Sequence, residues 1–227
     1  MDGPAQPGSA EVRGLNRRCH LYENFSWAYD DALTWMEGRA TEVQASGDMW
    51  LGLGSHSESV LTLGRHAPRE QIHAPEEWES SGGLIRRISR GGGATAHNPG
   101  QLVLYPVFSL PRIQMDVPRF TFALEESVIR LLADLGLHGE RQADAPGVFV
   151  GHKKIASLGF RVQHGVTTHG LAINCCNDVS IFREISACGV PNAPVTSIEH
   201  LLPQRSVVLE EIGHQLCANL FEICVLR

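Results

Sequence analysis

Residues 148–174 read VFVGHKKIASLGFRVQHGVTTHGLAIN, and this stretch decides the fold class. Three short β-prone runs, 148–150, 155–162 and 168–173, are separated by Gly151-His152 and His164-Gly165, pairs that suit tight turns. Upstream, 102–105 is a further β-prone run, and 59–63 is another that ends at Gly64. Farther out on both sides the period changes from two to 3.6. Leu124, Val128, Leu131, Leu132 and Leu135 share one face of a helix expected over 118–135, with Gly136 at its C-terminal end. A second helix is expected over 207–222, with Leu209, Ile212, Leu216 and Leu220 on one face. Near the start, Ser26 is expected to cap a helix carrying Trp27, Ala32, Leu33, Trp35 and Met36, which Gly38 then ends. Helices at both ends with strands between them predict an α/β (α+β) domain: a mixed β-sheet flanked by helices. Residues 1–14, MDGPAQPGSAEVRG, read as a flexible tail, and 15–227 as a single domain.

Composition narrows the class. The chain has 227 residues, 43% hydrophobic and 19% charged, and a formal net charge of -6, so a broad nucleic-acid surface is not expected. No run approaches the 18 or so apolar residues of a membrane span, and the polar start lacks an apolar signal core. Six cysteines, at 19, 175, 176, 188, 217 and 224, are then expected to be free thiols in a reducing, cytoplasmic setting.

Three segments carry candidate chemistry. In 90–101, RGGGATAHNPGQ, three consecutive glycines let backbone approach a ligand, their N–H groups can converge on an oxyanion, and Arg90 adds charge. The spacing is neither that of a P-loop nor that of a dinucleotide fingerprint. His97, beside this loop, is a candidate ligand-facing residue. In 151–159, GHKKIASLG, Lys154 opens a strand; lysines there are ordinarily solvated, but one buried beside a thiol favours the thiolate. In 186–189, SACG, Cys188 precedes a glycine that can present it at a pocket rim, although free cysteines are most often buried small hydrophobes. Cys175, Cys176 and Cys217 fit burial better. Zinc is not expected, because no C-x-x-C pair joins Cys175, Cys176, Cys188 and His169, and adjacent cysteines on a strand point to opposite faces.

Taken together, these segments resemble the lipoyl(octanoyl) transferase family. The matching stretches are TLGR at 62–65, RGGGATAHNPGQLVLYP at 90–106 and APGVFV at 145–150. They continue with KIASLG at 154–159, GVTTHGLAINC at 165–175, ACG at 187–189 and VTS at 195–197. The resemblance implies the fold shared by biotin and lipoate protein ligases. It also implies the reaction: transfer of an octanoyl group from acyl carrier protein to a lysine of lipoyl domains, those of 2-oxoacid dehydrogenase complexes and the glycine cleavage H protein. By position Cys188 matches the acyl-accepting cysteine and Lys154 the lysine that lowers its pKa. Arg90, Gly91, Gly92, Gly93, Ala94, Thr95, Ala96 and His97 match segments that line the acyl substrate. So do Ser157, Leu158 and Gly159, and Gly170, Leu171 and Ala172. No metal or resident cofactor is implied, the acyl group arriving on the carrier's phosphopantetheine.

In the implied chemistry a Cys188 thiolate attacks the thioester, Lys154 shuttles the proton, glycine-loop amides hold the oxyanion and His97 positions the acyl carbonyl. Ala96 stands where the family usually has an aromatic residue, and Asn98 where it usually has glycine; the first is expected to widen the acyl pocket. Arg86, Arg87 and Arg90 are candidates for docking an acidic carrier. An ATP-dependent lipoate or biotin protein ligase would share the loop and Lys154 but has no need of Cys188. A non-catalytic partner on the same fold would not need to keep Cys188, Lys154 and His97, and a papain-like hydrolase lacks its Cys–His surroundings here.

Overall fold

The computed structural model describes residues 8–12, 17–143, 145–187, 190–191 and 193–225. In chain order the strands are β1 (Gly8–Val12), β2 (Arg17–Trp27), β3 (Met49–His56), β4 (Val60–Leu63), β5 (Leu84–Arg87), β6 (Ala94–His97) and β7 (Gln101–Val107). They continue with β8 (Glu140–Gln142), β9 (Ala145–Val150), β10 (Lys153–Gln163), β11 (Val166–Asn174), β12 (Ser186–Ala187) and β13 (Val190–Pro191). The α-helices are α1 (Tyr29–Ser46), α2 (Pro75–Ser80), α3 (Val117–Asp134), α4 (Ile198–Leu201) and α5 (Leu209–Val225). The strands form two sheets, ordered β1-β2-β3-β7-β11-β10-β9-β8 and β13-β12-β6-β4-β5. Both are mixed: β2–β3, β4–β5 and β6–β12 are parallel, the remaining pairs antiparallel.

The side-chain alternation of the central strands assigns the layers. Along β7, Leu102 and Leu104 enter the main core with Leu171 and Ile173 of β11, and α3 and α5 cover that face. Val103 and Tyr105 point the other way, onto Ala32 and Met36 of α1. Helix α3 forms as its periodicity predicts, burying Phe120, Leu124, Val128, Leu131 and Leu132. Asp116 caps it by accepting from the Arg119 N–H at 2.8 Å, and Gly136 follows with φ 81°. The β10–β11 hairpin turns through His164 (φ 50°) and Gly165 (φ 79°), both left-handed, as a two-residue primed turn requires. Among the described residues no helix is long and apolar enough to cross a membrane.

Two expectations are corrected. Ser26 is not a helix cap: it lies within β2, and α1 begins at Tyr29 after Ala28. Gly38 does not end that helix, which continues to Ser46 and closes at Gly47 (φ 78°), whose N–H bonds to the Val43 carbonyl. Val43 extends the buried face past the glycine, and its burial offsets the ~1 kcal/mol that an interior glycine costs. Within the segment read as a tail, Gly8–Val12 pairs with β2. Residues 1–7 and 13–14 lie outside the described residues.

Candidate active site

A cavity of about 100 Å³ lies where β6 and the loop before it face β10 and β11. Register decides what points into it. In β10 the pairing with β9 slips between Lys154 and Ala156, a bulge that inserts Ile155. Without it, Lys154 and Ser157, three residues apart, would face opposite sides of the sheet. With it, both line the cavity, while Ile155 drops into the main core. The Lys154 backbone is fixed on its other side: its N–H donates to the Pro194 carbonyl at 2.8 Å, and its carbonyl accepts from Thr196 at 2.9 Å. The side chain is 7% exposed and places Nζ 5.4 Å from the Phe149 ring centroid.

The lysine stem crosses the face of Gly147. A Cβ there would lie 2.5 Å from both Lys154 Cε and the Ala156 carbonyl oxygen, and φ is 136°. Gly147 cannot retreat, because its N–H donates to the buried Glu125 carboxylate at 3.1 Å. Arg141 in turn holds Glu125 at 3.1 Å.

Of the expected substrate residues, Arg90, Gly92, Gly93, Ala94, Thr95 and His97 line the cavity from one side. Ser157, Leu158, Gly159, Gly170, Leu171 and Ala172 line it from the other. Gly91 and Ala96 do not. The Gly91 N–H bonds to the Phe160 carbonyl at 3.2 Å, tying the loop to β10. Ala96 is fully buried in the core of the smaller sheet, while its neighbours Thr95 and His97 alternate toward the cavity. Ala96 therefore does not widen the acyl pocket. Asn98 is a stitch, donating to the Asp178 carbonyl and accepting from Asn177, both at 2.9 Å. Cys188 and Gly189 lie outside the described residues.

Arg90 is not a ligand-facing charge. Nη1 donates to the Gly91 and Gly93 carbonyls, and Nη2 to the carbonyl and hydroxyl of Thr62, so the guanidinium clamps the glycine loop from inside. The proposed basic docking patch disperses likewise. Arg86 makes a bidentate pair with Asp30 at 2.8 and 2.9 Å, and Arg87 donates to the carbonyls of Gly64 and Ala67.

Five lining residues were not assigned to the site from sequence: Tyr29, Ile88, Tyr105, Pro146 and His169. The polar floor they join is fully specified. Gln101 Nε2 must donate to the Ala96 carbonyl, which fixes its Oε1 toward His97 Nδ1 at 2.7 Å. His97 thus carries its proton on Nδ1, and Nε2 is an acceptor. It cannot donate to an acyl carbonyl; it suits a ligand N–H. His56 is held the same way, Nδ1 donating to the Trp27 carbonyl at 3.0 Å and Nε2 accepting from the Tyr105 hydroxyl at 2.7 Å. Burial, aided by neighbouring His56, pushes His97 down to about 3, and burial with the Arg90 and Arg161 cations pushes His169 down to about 4.

Both rings stay neutral in the fold but protonate near 6.5 once unfolded. The unfolded chain therefore binds more protons below pH 6.5. Stability is complete above that pH and falls as the pH drops toward 4, by up to about 1.4 kcal/mol per pH unit for each ring. Denaturant unfolding at pH 7, 6 and 5 is expected to show this decline, with a flatter dependence in His97→Gln. An unchanged slope in the variant would remove His97 from the account.

Four of the other thiols are unsuited to nucleophilic work. Burial pushes Cys19 up to about 12 and raises Cys175, Cys217 and, with Glu199, Cys176.

A family profile described as the lipoyl protein ligase A/B catalytic domain matches residues 24–221. An octanoyltransferase of Nitratidesulfovibrio vulgaris (strain DP4) is 39% identical over 199 residues, 87% of this chain and 91% of that protein. An octanoyltransferase of Chloroflexus aurantiacus (strain J-10-fl) is 43% identical over 172 residues, 74% of this chain and 77% of that one. A crystal structure of lipoate-protein ligase A bound with ATP superposes with a TM-score of 0.74 at 19% identity, over 91% of this chain and 85% of the other. At that identity it speaks for the fold alone.

Proposed function

Because the chain belongs to the lipoyl protein ligase A/B catalytic-domain family, and its similarity to octanoyltransferases makes it an acyltransferase, we propose that it moves an octanoyl group from the thioester of an acyl carrier protein to a lysine of lipoyl domains, by way of a thioester on Cys188. The observation that carries this reading is the convergence on Lys154. The bulge turns its side chain into a cavity with an apolar wall. The described residues on either side of Cys188 border the same place. Ala187 pairs with Ala94 of the glycine loop's strand, and 194–196 hydrogen-bonds the Lys154 backbone.

The Cys188 thiolate attacks the donor carbonyl, the carbon–sulfur bond to the carrier breaks, and the departing thiolate takes a proton from the Lys154 ammonium. The lipoyl-domain amine then attacks the enzyme thioester, Lys154 takes up its proton, and the Cys188 thiolate departs. Among the described residues β9 pairs with β10 only as far as Ser157, so the backbone edge at Leu158 and Gly159 is open to the oxyanion. His97 Nε2 supplies an acceptor for the incoming amine. Ile88, Pro146 and Ala172 offer an apolar wall to the acyl tail, each buried methylene contributing about 0.8 kcal/mol.

Intact-mass analysis after mixing the protein with octanoyl-acyl carrier protein, without ATP, is expected to show one octanoyl adduct, absent in Cys188→Ala. No adduct, with lipoyl-domain modification only when ATP is supplied, would replace this reading by an ATP-dependent ligase.

A further inference from the structure

A second depression, of about 500 Å³, runs between α1 and the β10–β11 hairpin and shares Ile88 and His169 with the cavity. The strand period links the two. From Ser157 and Gly159 in the cavity, the same face of β10 continues to Arg161 and Gln163 in the groove. At ~3.3 Å per residue, Arg161 stands roughly 13 Å from Ser157.

Three features mark the groove as a ligand site. Arg161 is only partly exposed, yet among the described residues its guanidinium has no hydrogen-bonded or ion-paired acceptor. Arg87 and His164 join it against Glu37, the one acidic residue among the described lining residues. His169, at the junction, holds a left-handed backbone (φ 59°) in mid-strand, a conformation that costs a non-glycine residue energy and recurs at functional sites. The wall combines polar groups (Ser89, Thr168, Gln44) with apolar ones (Met36, Val166).

On the reading that the donor is a carrier-borne thioester, we propose that this groove holds the donor's phosphopantetheine arm, with Arg161 on its phosphate. The arm suits the groove in composition: an anionic end, two amides that need polar partners, a small branched apolar segment between, and a thioester delivered past His169 to the cavity. The phosphate is a diester on a carrier protein and a monoester in free phosphopantetheine, but both present anionic phosphoryl oxygens to a guanidinium, and the small compounds isolate the groove from any protein–protein contact.

The test compares octanoyl-phosphopantetheine with octanoyl-pantetheine as donors to a lipoyl domain, and phosphopantetheine with pantetheine as ligands by calorimetry. The wild type is expected to favour the phosphorylated form about tenfold or more in both kcat/KM and affinity, the scale of one charge-assisted contact. In Arg161→Gln the ratio should fall to near one, and Arg161→Lys should keep part of it. A wild-type ratio near one, or a ratio unchanged in Arg161→Gln, overturns the groove assignment. Absence of transfer from both donors by the wild type overturns instead the transferase reading, and the affinity ratio then still decides whether the groove takes a phosphate.

Discussion

Replacing Lys154 by methionine is expected to lower octanoyl transfer roughly a thousandfold, the range of a lost proton-transfer group, while the protein remains folded. Methionine replaces the stem with an unbranched apolar chain one atom shorter along Gly147 and near the Phe149 ring, so packing is largely preserved. What is lost is the cation and, with it, the proposed proton carrier. Two readouts separate those losses from a structural defect. On the proposed pairing with Lys154, alkylation of Cys188 near neutral pH should slow in the variant, because fewer thiols are ionised without that cation. The rate should recover at higher pH, where the thiol ionises unaided. An alkylation profile that superposes on the wild type would remove Lys154 from its proposed role, whatever happened to turnover.

Gly147→Ala should cost both stability and activity. The added methyl meets the Ala156 carbonyl oxygen at 2.5 Å, a backbone atom inside a paired strand, and the φ of 136° is unfavourable to any side chain. Strain and overpacking together set the expected loss at about 2–4 kcal/mol. The methyl also meets Lys154 Cε at 2.5 Å, so relief comes by displacing the lysine, and turnover should fall further than the loss of folded protein accounts for. Chemical denaturation and specific activity per folded molecule measure the two effects separately. A variant as stable and as active as the parent would show that the glycine is dispensable.

The fold was legible where one period dominates. Helix α3 shows itself because Leu124, Val128, Leu131 and Leu132 repeat at helical spacing between an aspartate cap and a glycine. The β10–β11 hairpin shows itself because its turn needs His164-Gly165. Strands β2 and β3 escaped, and Ser26 was misread, because Trp27, Ala32 and Met36 look like one helical stripe although Trp27 ends a strand and only the latter two belong to α1. Both halves enter the same aromatic cluster, and sequence spacing does not reveal that a chain reverses between them. In the site, segment matching found most of the lining. It could not tell that alternation in β6 sends His97 inward and Ala96 away, or that Arg90 is spent on carbonyls. Nor could it find Tyr29, which reaches the cavity from a helix carrying no motif of its own.

The bulge at Ile155 makes chain length part of the site's specification. Substitution at 155 alters packing, and removing that residue restores regular pairing with Lys154 and Ser157 two apart and still on one face, whereas inserting one more residue beside it without a second bulge sends Lys154 to the opposite face from Ser157. Natural variation and engineering alike can change what lines this cavity, provided the residue count between lysine and serine and the bulge stay matched.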